Sequence, residues 1–220
     1  MRRVLVGVLC FISVGSFAQI RLGVQAGYNS SNFYTPTTTS VSISTISAFQ
    51  AGLYGEKQLN STFFVQSALQ WAGKGGYKAK DQALFGPTTT LRMNYLQIPL
   101  NIGLKVKIKK DWKIYAATGL YGAYGVSGTE KGYNVSSPNG TVVPIDRKIK
   151  FSTNIADQAN NTYAKPFDFG YNVLAGVEWK TFQLSANYNR GFKNAFSTGD
   201  VKYANQVLNF SLAYFIFIVK

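Results

Sequence analysis

The sequence predicts an all-β protein, an eight-stranded antiparallel up-and-down transmembrane β-barrel, and three observations carry that prediction. The first is the stretch Tyr95 to Ile108, YLQIPLNIGLKVKI. Leu96, Ile98, Leu100, Ile102, Leu104, Val106 and Ile108 fall on one parity, and Tyr95, Gln97, Pro99, Asn101, Gly103, Lys105 and Lys107 on the other. Side chains of a strand alternate between its faces, so the segment shows one unbroken apolar face, and at about 3.3 Å per residue it can cross a bilayer at a tilt. The second observation is that eight such segments are joined by connections running long, short, long, short, long, short, long. A barrel whose ends face different compartments sorts its loops in this way, with tight turns beside both termini and long loops opposite, whereas a soluble barrel has no reason to. The third is composition: charged residues are 15%, against about 25% in a typical soluble domain. Aromatic residues also reach 15%, which suits a wall between lipid and a packed polar interior.

The chain opens with MRR and the apolar run VLVGVLCFISVGSFA, with the small residues Ser16 and Ala18 at positions −3 and −1 of a cleavage site. This predicts a cleaved signal peptide over 1–18 and a single barrel domain over 19–220. The run is too short for a transmembrane helix. The only cysteine, Cys10, lies inside it behind Leu9, where lipid attachment would need a small residue, so the mature chain is expected to hold neither thiol nor disulfide.

The first strand runs from Ile20 to Tyr28, with Leu22, Val24, Ala26 and Tyr28 opposite Arg21, Gly23, Gln25 and Gly27. Asn29 to Thr45, rich in Ser and Thr, reads as a polar loop. Ile46 to Lys57 sets Phe49, Ala51 and Leu53 against Gln50, Gly52, Tyr54 and Glu56, and a short link reaches Ser61. In the third strand Phe63, Val65, Leu69 and Trp71 oppose Phe64, Gln66, Ala68 and Gln70, before the long connection GKGGYKAKDQALFGPTTT. The Tyr95–Ile108 strand is fourth and turns through Lys109, Lys110 and Asp111. Trp112 to Val126 is the fifth strand, its lipid parity open between Ile114/Ala116/Leu120 and Tyr115/Ala117/Tyr121. The longest connection spans Ser127 to Pro166. Phe167, Phe169, Tyr171, Val173, Ala175 and Val177 then alternate with Asp168, Gly170, Asn172, Gly176 and Glu178 in the sixth strand. After Lys180 and Thr181, Phe182, Leu184, Ala186 and Tyr188 oppose Gln183, Ser185, Asn187 and Asn189. A loop from Phe192 to Ala204 precedes the last strand, where Leu208, Phe210, Leu212, Tyr214, Ile216 and Ile218 oppose Asn209, Ser211 and Ala213.

Eight strands enclose an interior that side chains just fill. The inward parity places Arg21, Glu56, Lys105 and Glu178 toward the end that carries the short turns, and they are expected to plug it as an ion-paired cluster. Tyr28, Trp71, Phe167 and Tyr188 near the long loops, and Trp112, Trp179 and Phe182 near the short turns, are expected to form two interfacial girdles. Arg92, Arg190 and Lys193 near the loop end are placed to meet lipopolysaccharide phosphates.

The chain contains no His, and with no mature Cys the Ser-His, Cys-His and His/Cys zinc schemes have no residues to use. No catalytic residue, metal site or cofactor is expected. GKGGYK at Gly73 departs from the phosphate-binding GxxxxGK[ST] pattern, and Asp81, Asp146 and Asp157 match no calcium loop. The formal charge is +14, but Lys and Arg are spread over turns and loops with no basic helix, so anionic lipid, rather than nucleic acid, is the expected partner.

The stretches IRLGVQAGYNSSNF, YLQIPLNIGL, AATGLYGAYGVSG, FDFGYNVLAGVEW and FQLSANYNRGFKN together resemble the outer-membrane β-barrel proteins (porin family, PorT-like) of Gram-negative bacteria. The resemblance spans nearly all of the mature chain. It implies a pore-poor, eight-stranded barrel, in a family where some relatives assist a secretion machine; a monomer, exported through the signal peptide to the cell outer membrane, is expected. The terminal YFIFIVK departs from the family's aromatic ending, since Phe215 and Phe217 stop short of Lys220. Three functional expectations follow: a structural or porin-like barrel with loops for surface contacts, an accessory of protein secretion or surface assembly, and a soluble lipocalin-like binder. The Gly, Asn, Gln and Ser of the polar face disfavour the last.

Overall fold

The computed structural model describes residues 19–36, 41–80, 86–136, 140–157, 160–197 and 202–219. The expected signal peptide, Cys10, Asp81 and Lys220 lie outside them. Eleven strands are formed: β1 (Ile20–Tyr34), β2 (Val41–Ser44), β3 (Ile46–Gln58), β4 (Phe63–Lys80), β5 (Gly86–Lys109), β6 (Trp112–Ser136), β7 (Thr141–Phe151), β8 (Asn161–Ala164), β9 (Phe167–Trp179), β10 (Phe182–Gly191) and β11 (Ala204–Val219). Eight of them close an antiparallel ring in the order β1-β3-β4-β5-β6-β9-β10-β11 and back to β1. This is the up-and-down barrel that the parity pattern predicts. A closed ring leaves no unpaired backbone edge facing lipid.

Burial is inverted relative to a soluble core. Ile98, Leu100, Ile102 and Val106 are each more than half exposed on the outer wall, while Gln97, Asn101 and Lys105 between them are at most 3% exposed. The open parity of the fifth strand is resolved in β6, where Ile114 and Leu120 face out and Tyr115, Ala117 and Tyr121 are buried in the lumen.

The first and last strands meet in the seam between β1 and β11. Leu22 faces Phe217 and Gly23 faces Phe215, so Ile216 is an extra residue, a β-bulge. A Cβ on Gly23 would lie 1.9 Å from the Tyr214 carbonyl oxygen, so only glycine fits this approach. The bulge turns Phe217 outward although Phe215, two residues earlier, is buried. At the β9–β10 turn Lys180 adopts φ +54°, the left-handed conformation that a two-residue hairpin demands.

The strands outrun the expected ones at the loop end. β1 continues to Tyr34, β4 to Lys80 and β6 to Ser136, and β5 begins at Gly86. The physical reason is that outward apolar residues report the height of the bilayer, not the length of the strand. Beyond it water covers the outer face, so the outer stripe turns polar while the inward residues Asn29, Ser31 and Phe33 stay buried. The Ser127–Pro166 stretch, expected as a loop, also carries strands: β7 pairs antiparallel with β6, and β8 runs parallel to β7. β2 adds to the edge of β4.

Candidate functional site: a sealed lumen and a charged outer rim

Four strands deliver the charges at the turn end. The β1–β3 register sets Arg21 directly opposite Glu56, and β5 and β9 bring Lys105 and Glu178. Arg21 donates from Nη1 and Nη2 to the two Glu178 carboxylate oxygens at 3.0 and 2.7 Å, and also to Glu56. Lys105 Nζ reaches Glu56 Oε1 at 2.6 Å and Glu178 Oε2 at 2.7 Å. The structure thus brings all four residues expected in the plug into one cluster. It adds three that parity had not singled out. Lys113 donates to Glu178 Oε1 at 2.8 Å, Gln183 Nε2 donates to both carboxylates, and the Tyr54 hydroxyl donates to the Gln183 carbonyl oxygen at 2.9 Å. The Phe215 ring lies 4.1 Å from the Arg21 guanidinium carbon and the Phe64 ring 4.7 Å from Lys105 Nζ, so aromatic faces cover the cations. With both carboxylates buried, each charge is matched by direct partners, as a low-dielectric interior requires.

A second pair seals the loop end. Lys74 Nζ lies 2.9 Å from Asp168 Oδ2, which also accepts from Asn205 Nδ2 at 3.0 Å and the Tyr121 hydroxyl at 3.2 Å. Lys74 stands 4.2 Å from the Tyr121 ring centroid. Above the pair Phe33, Leu91, Met93, Tyr95, Ile149 and Phe196 form the largest buried apolar cluster among the described residues. Sequence reading placed Lys74 in a loop, yet it continues the inward parity Phe64, Gln66, Ala68, Gln70, Ala72 along β4. That continuation was the signal. Between the plugs lies a layer of amides, where Asn172 donates to Asn101 and Asn209 to Asn29. The layer encloses a cavity of about 20 Å³ bounded by Gln25, Gln66, Gln70, Asn101 and Asn187, room for about one water.

Above the bilayer, Lys78 Nζ sits among three rings, 3.7 Å from the Phe196 centroid, 3.8 Å from Tyr203 and 5.0 Å from Phe33. Burial pushes its ammonium down to about 8, with Glu130 pulling weakly the other way.

The wall carries the aromatic rows. Near the turns Trp112, Trp179, Phe182 and Tyr214 follow one another across β6, β9, β10 and β11, with centroids 6.2, 6.2 and 4.9 Å apart. Toward the loops Tyr28 meets Phe49, Tyr124 meets Phe167 and Tyr171 meets Tyr188, while Trp71 stands exposed on β4. The three outer cations do not form one site. Arg92 on β5 donates to the Ser47 carbonyl at 2.9 Å, Arg190 on β10 stacks 3.5 Å over Tyr34, and Lys193 lies 5.5 Å from Phe169. β6 and β9 separate β5 from β10. Among the described residues no cluster of acidic or Cys side chains could hold a metal. Asp146 pairs with Lys131, and Asp157 accepts from Asn160 and Asn161.

The family model for the outer membrane protein β-barrel domain matches residues 17–197. The chain belongs to this family. It is therefore an integral protein of the outer membrane of Gram-negative bacteria, and in this family's architecture the tight turns and both termini face the periplasm while the long loops face outward. The plug of Arg21, Glu56, Lys105 and Glu178 is then periplasmic, and the Lys74–Asp168 pair external. Among solved structures the chain is similar to Ail, the attachment invasion locus protein of Yersinia pestis, at 12% identity, 89% coverage of this chain, 98% of that chain and TM-score 0.40. Neisserial surface protein A is similar at 13% identity, 88% and 96% coverage and TM-score 0.44. OprG of Pseudomonas aeruginosa follows at 11%, 90% and 92%, with TM-score 0.46. No curated protein matches the sequence.

Proposed function

We propose that this barrel is a structural, surface-contact protein of the outer membrane rather than a channel or an enzyme, its lumen sealed and its work carried by the external strands and loops. The observation behind this reading is the pair of ion-locked plugs with a cavity of only about 20 Å³ between them. A hydrated solute needs a continuous path, and among the described residues the buried amides Gln66, Gln70, Asn101 and Asn172 occupy the lumen between Glu178 and Asp168. The absence of His from the chain supports a non-catalytic role. Single-channel recording in planar bilayers, on protein whose folding is verified by a mobility shift between unboiled and boiled gel samples, tests it. The expected result is a mobility shift without steady conductance; stable conductance steps would overturn the sealed lumen.

A second reading, an accessory of protein secretion or surface assembly of the PorT-like kind, is favoured by the edge of β7. Among the described residues one side of Thr141–Lys148 pairs with β6, whereas β8 covers the other side only from Lys148 onward. Val142 and Val143 are exposed beside it. An open strand edge can accept an extended segment of another chain. Photo-crosslinking from Val143 in intact cells should yield one discrete protein adduct under this reading, and a ladder of lipid or random adducts would sink it.

A further inference from the structure

On the external half of the wall, a cleft of about 700 Å³ opens across β3, β4, β5, β6 and β7 and reaches inward as far as the buried Lys74, Met93 and Ile149. Its lining combines four cations, the exposed Arg92, Lys148 and Lys150 and the buried Lys74 that pairs with Asp168, with Phe49, Trp71 and Val126. The registers explain why these side chains converge. Arg92 faces Thr129 across β5–β6, and Thr129 faces Lys148 across β6–β7. Directly paired residues project from the same face of a sheet, so Arg92 and Lys148 stand on one outward rung, with Lys150 two residues further along β7. On the other side Arg92 is opposite Gly75, and Asn94 is opposite Gly73. The two glycines let β3 and β5 close over them, Ala48 and Phe49 over Gly73 and Ile46 and the Leu91 carbonyl over Gly75, and Arg92 reaches across to hydrogen-bond the Ser47 carbonyl.

The charge is unspent. Among the described residues Arg92, Lys148 and Lys150 have no carboxylate within 4 Å, and the one acidic residue on that face of β7, Asp146, is engaged by Lys131 at 3.3 Å. The height is set by Trp71, which pairs with Leu96 four residues below Arg92. Four residues of a strand tilted at about 40° rise roughly 10 Å along the membrane normal, so the cations stand at the level of lipid headgroups while Trp71 and Phe49 stand at their base. Below them the outward stripe Leu96, Ile98, Leu100 descends the same strand, each of these residues exposed to the acyl region.

We propose that this cleft binds the phosphorylated headgroup of an outer-leaflet glycolipid, with Arg92, Lys148 and Lys150 on the phosphate, the rings of Trp71 and Phe49 against the sugar, and the acyl chains lying along Leu96 and Ile98. Arg92 supplies the forked donor set that matches phosphate oxygens, and the lysines add point charges. Arg190 and Lys193, across the ring, lie outside the site.

Reconstitution in neutral phosphatidylcholine nanodiscs and titration with lipid A tests the site, with the thermal midpoint of the gel mobility shift as readout. Lipid A should raise the midpoint of the parent, and the triple variant R92Q/K148Q/K150Q should require at least tenfold more lipid for the same rise. The control K109Q/K110Q, exposed at the β5–β6 turn on the opposite end of the barrel, should respond as the parent does, and both variants must show the mobility shift of a folded barrel. Three results would overturn the proposal: a triple variant that titrates like the parent, dephosphorylated lipid A acting as well as the phosphorylated form, or inorganic phosphate alone reproducing the full shift.

Discussion

Glu56 and Glu178 each answer to more than one cation, and removing either carboxylate leaves positive charges facing one another in a site from which water is excluded. Breaking a buried ion pair from one side costs about 3 kcal/mol or more. Glu56→Gln is therefore expected to lower the unfolding free energy by about 3 kcal/mol. Glu178→Gln should cost more, because Arg21, Lys105 and Lys113 all donate to that carboxylate. Urea unfolding of vesicle-reconstituted protein measures both, and variants that unfold at the parent's midpoint would show the cluster to be energetically idle. The expected members were legible because charge on an otherwise amide-rich parity, at the same end of four strands, has few ways to be satisfied. Lys113 was not legible. It sits at the start of the one strand whose Gly, Ala and Tyr content hides which parity faces lipid.

At the level of elements, Lys78 holds together three that are far apart in sequence: β4, the end of β1 through Phe33, and the β10–β11 connection through Phe196 and Tyr203. The rings attract its charge and burial opposes it, and burial wins, since its pKa falls from 10.5 to about 8. Below pH 8 the ammonium is charged in both folded and unfolded chains. Between pH 8 and 10.5 the folded chain has released the proton that the unfolded chain still binds, so the stability contributed at this site rises with pH across that window. Lys78→Met should remove that part of the slope, measured as the difference in denaturation midpoint between pH 7 and pH 10 in parent and variant. Equal slopes in the two would refute it. These external elements were the least legible part of the fold. Outward apolar parity ends with the membrane, and above it the regularity survives only in inward residues such as Ser31 and Lys74, which look polar and loop-like when read one at a time.

The whole molecule was legible in its plan because bilayer and water impose opposite demands on alternate residues, and because tight turns sort to one end. Its profile was not, because the height of each strand above the membrane depends on which neighbours it pairs with outside. β5 and β6 run for 24 and 25 residues, whereas β9 and β10 stop at 13 and 10. Seen from the side, the barrel is a chair rather than a drum, with a high back formed by β4 to β7 and a low front at β9 and β10. Rotation about the membrane normal therefore changes what the protein presents. A body drifting in the plane of the bilayer strikes a wall from one direction and passes over a low rim from the other.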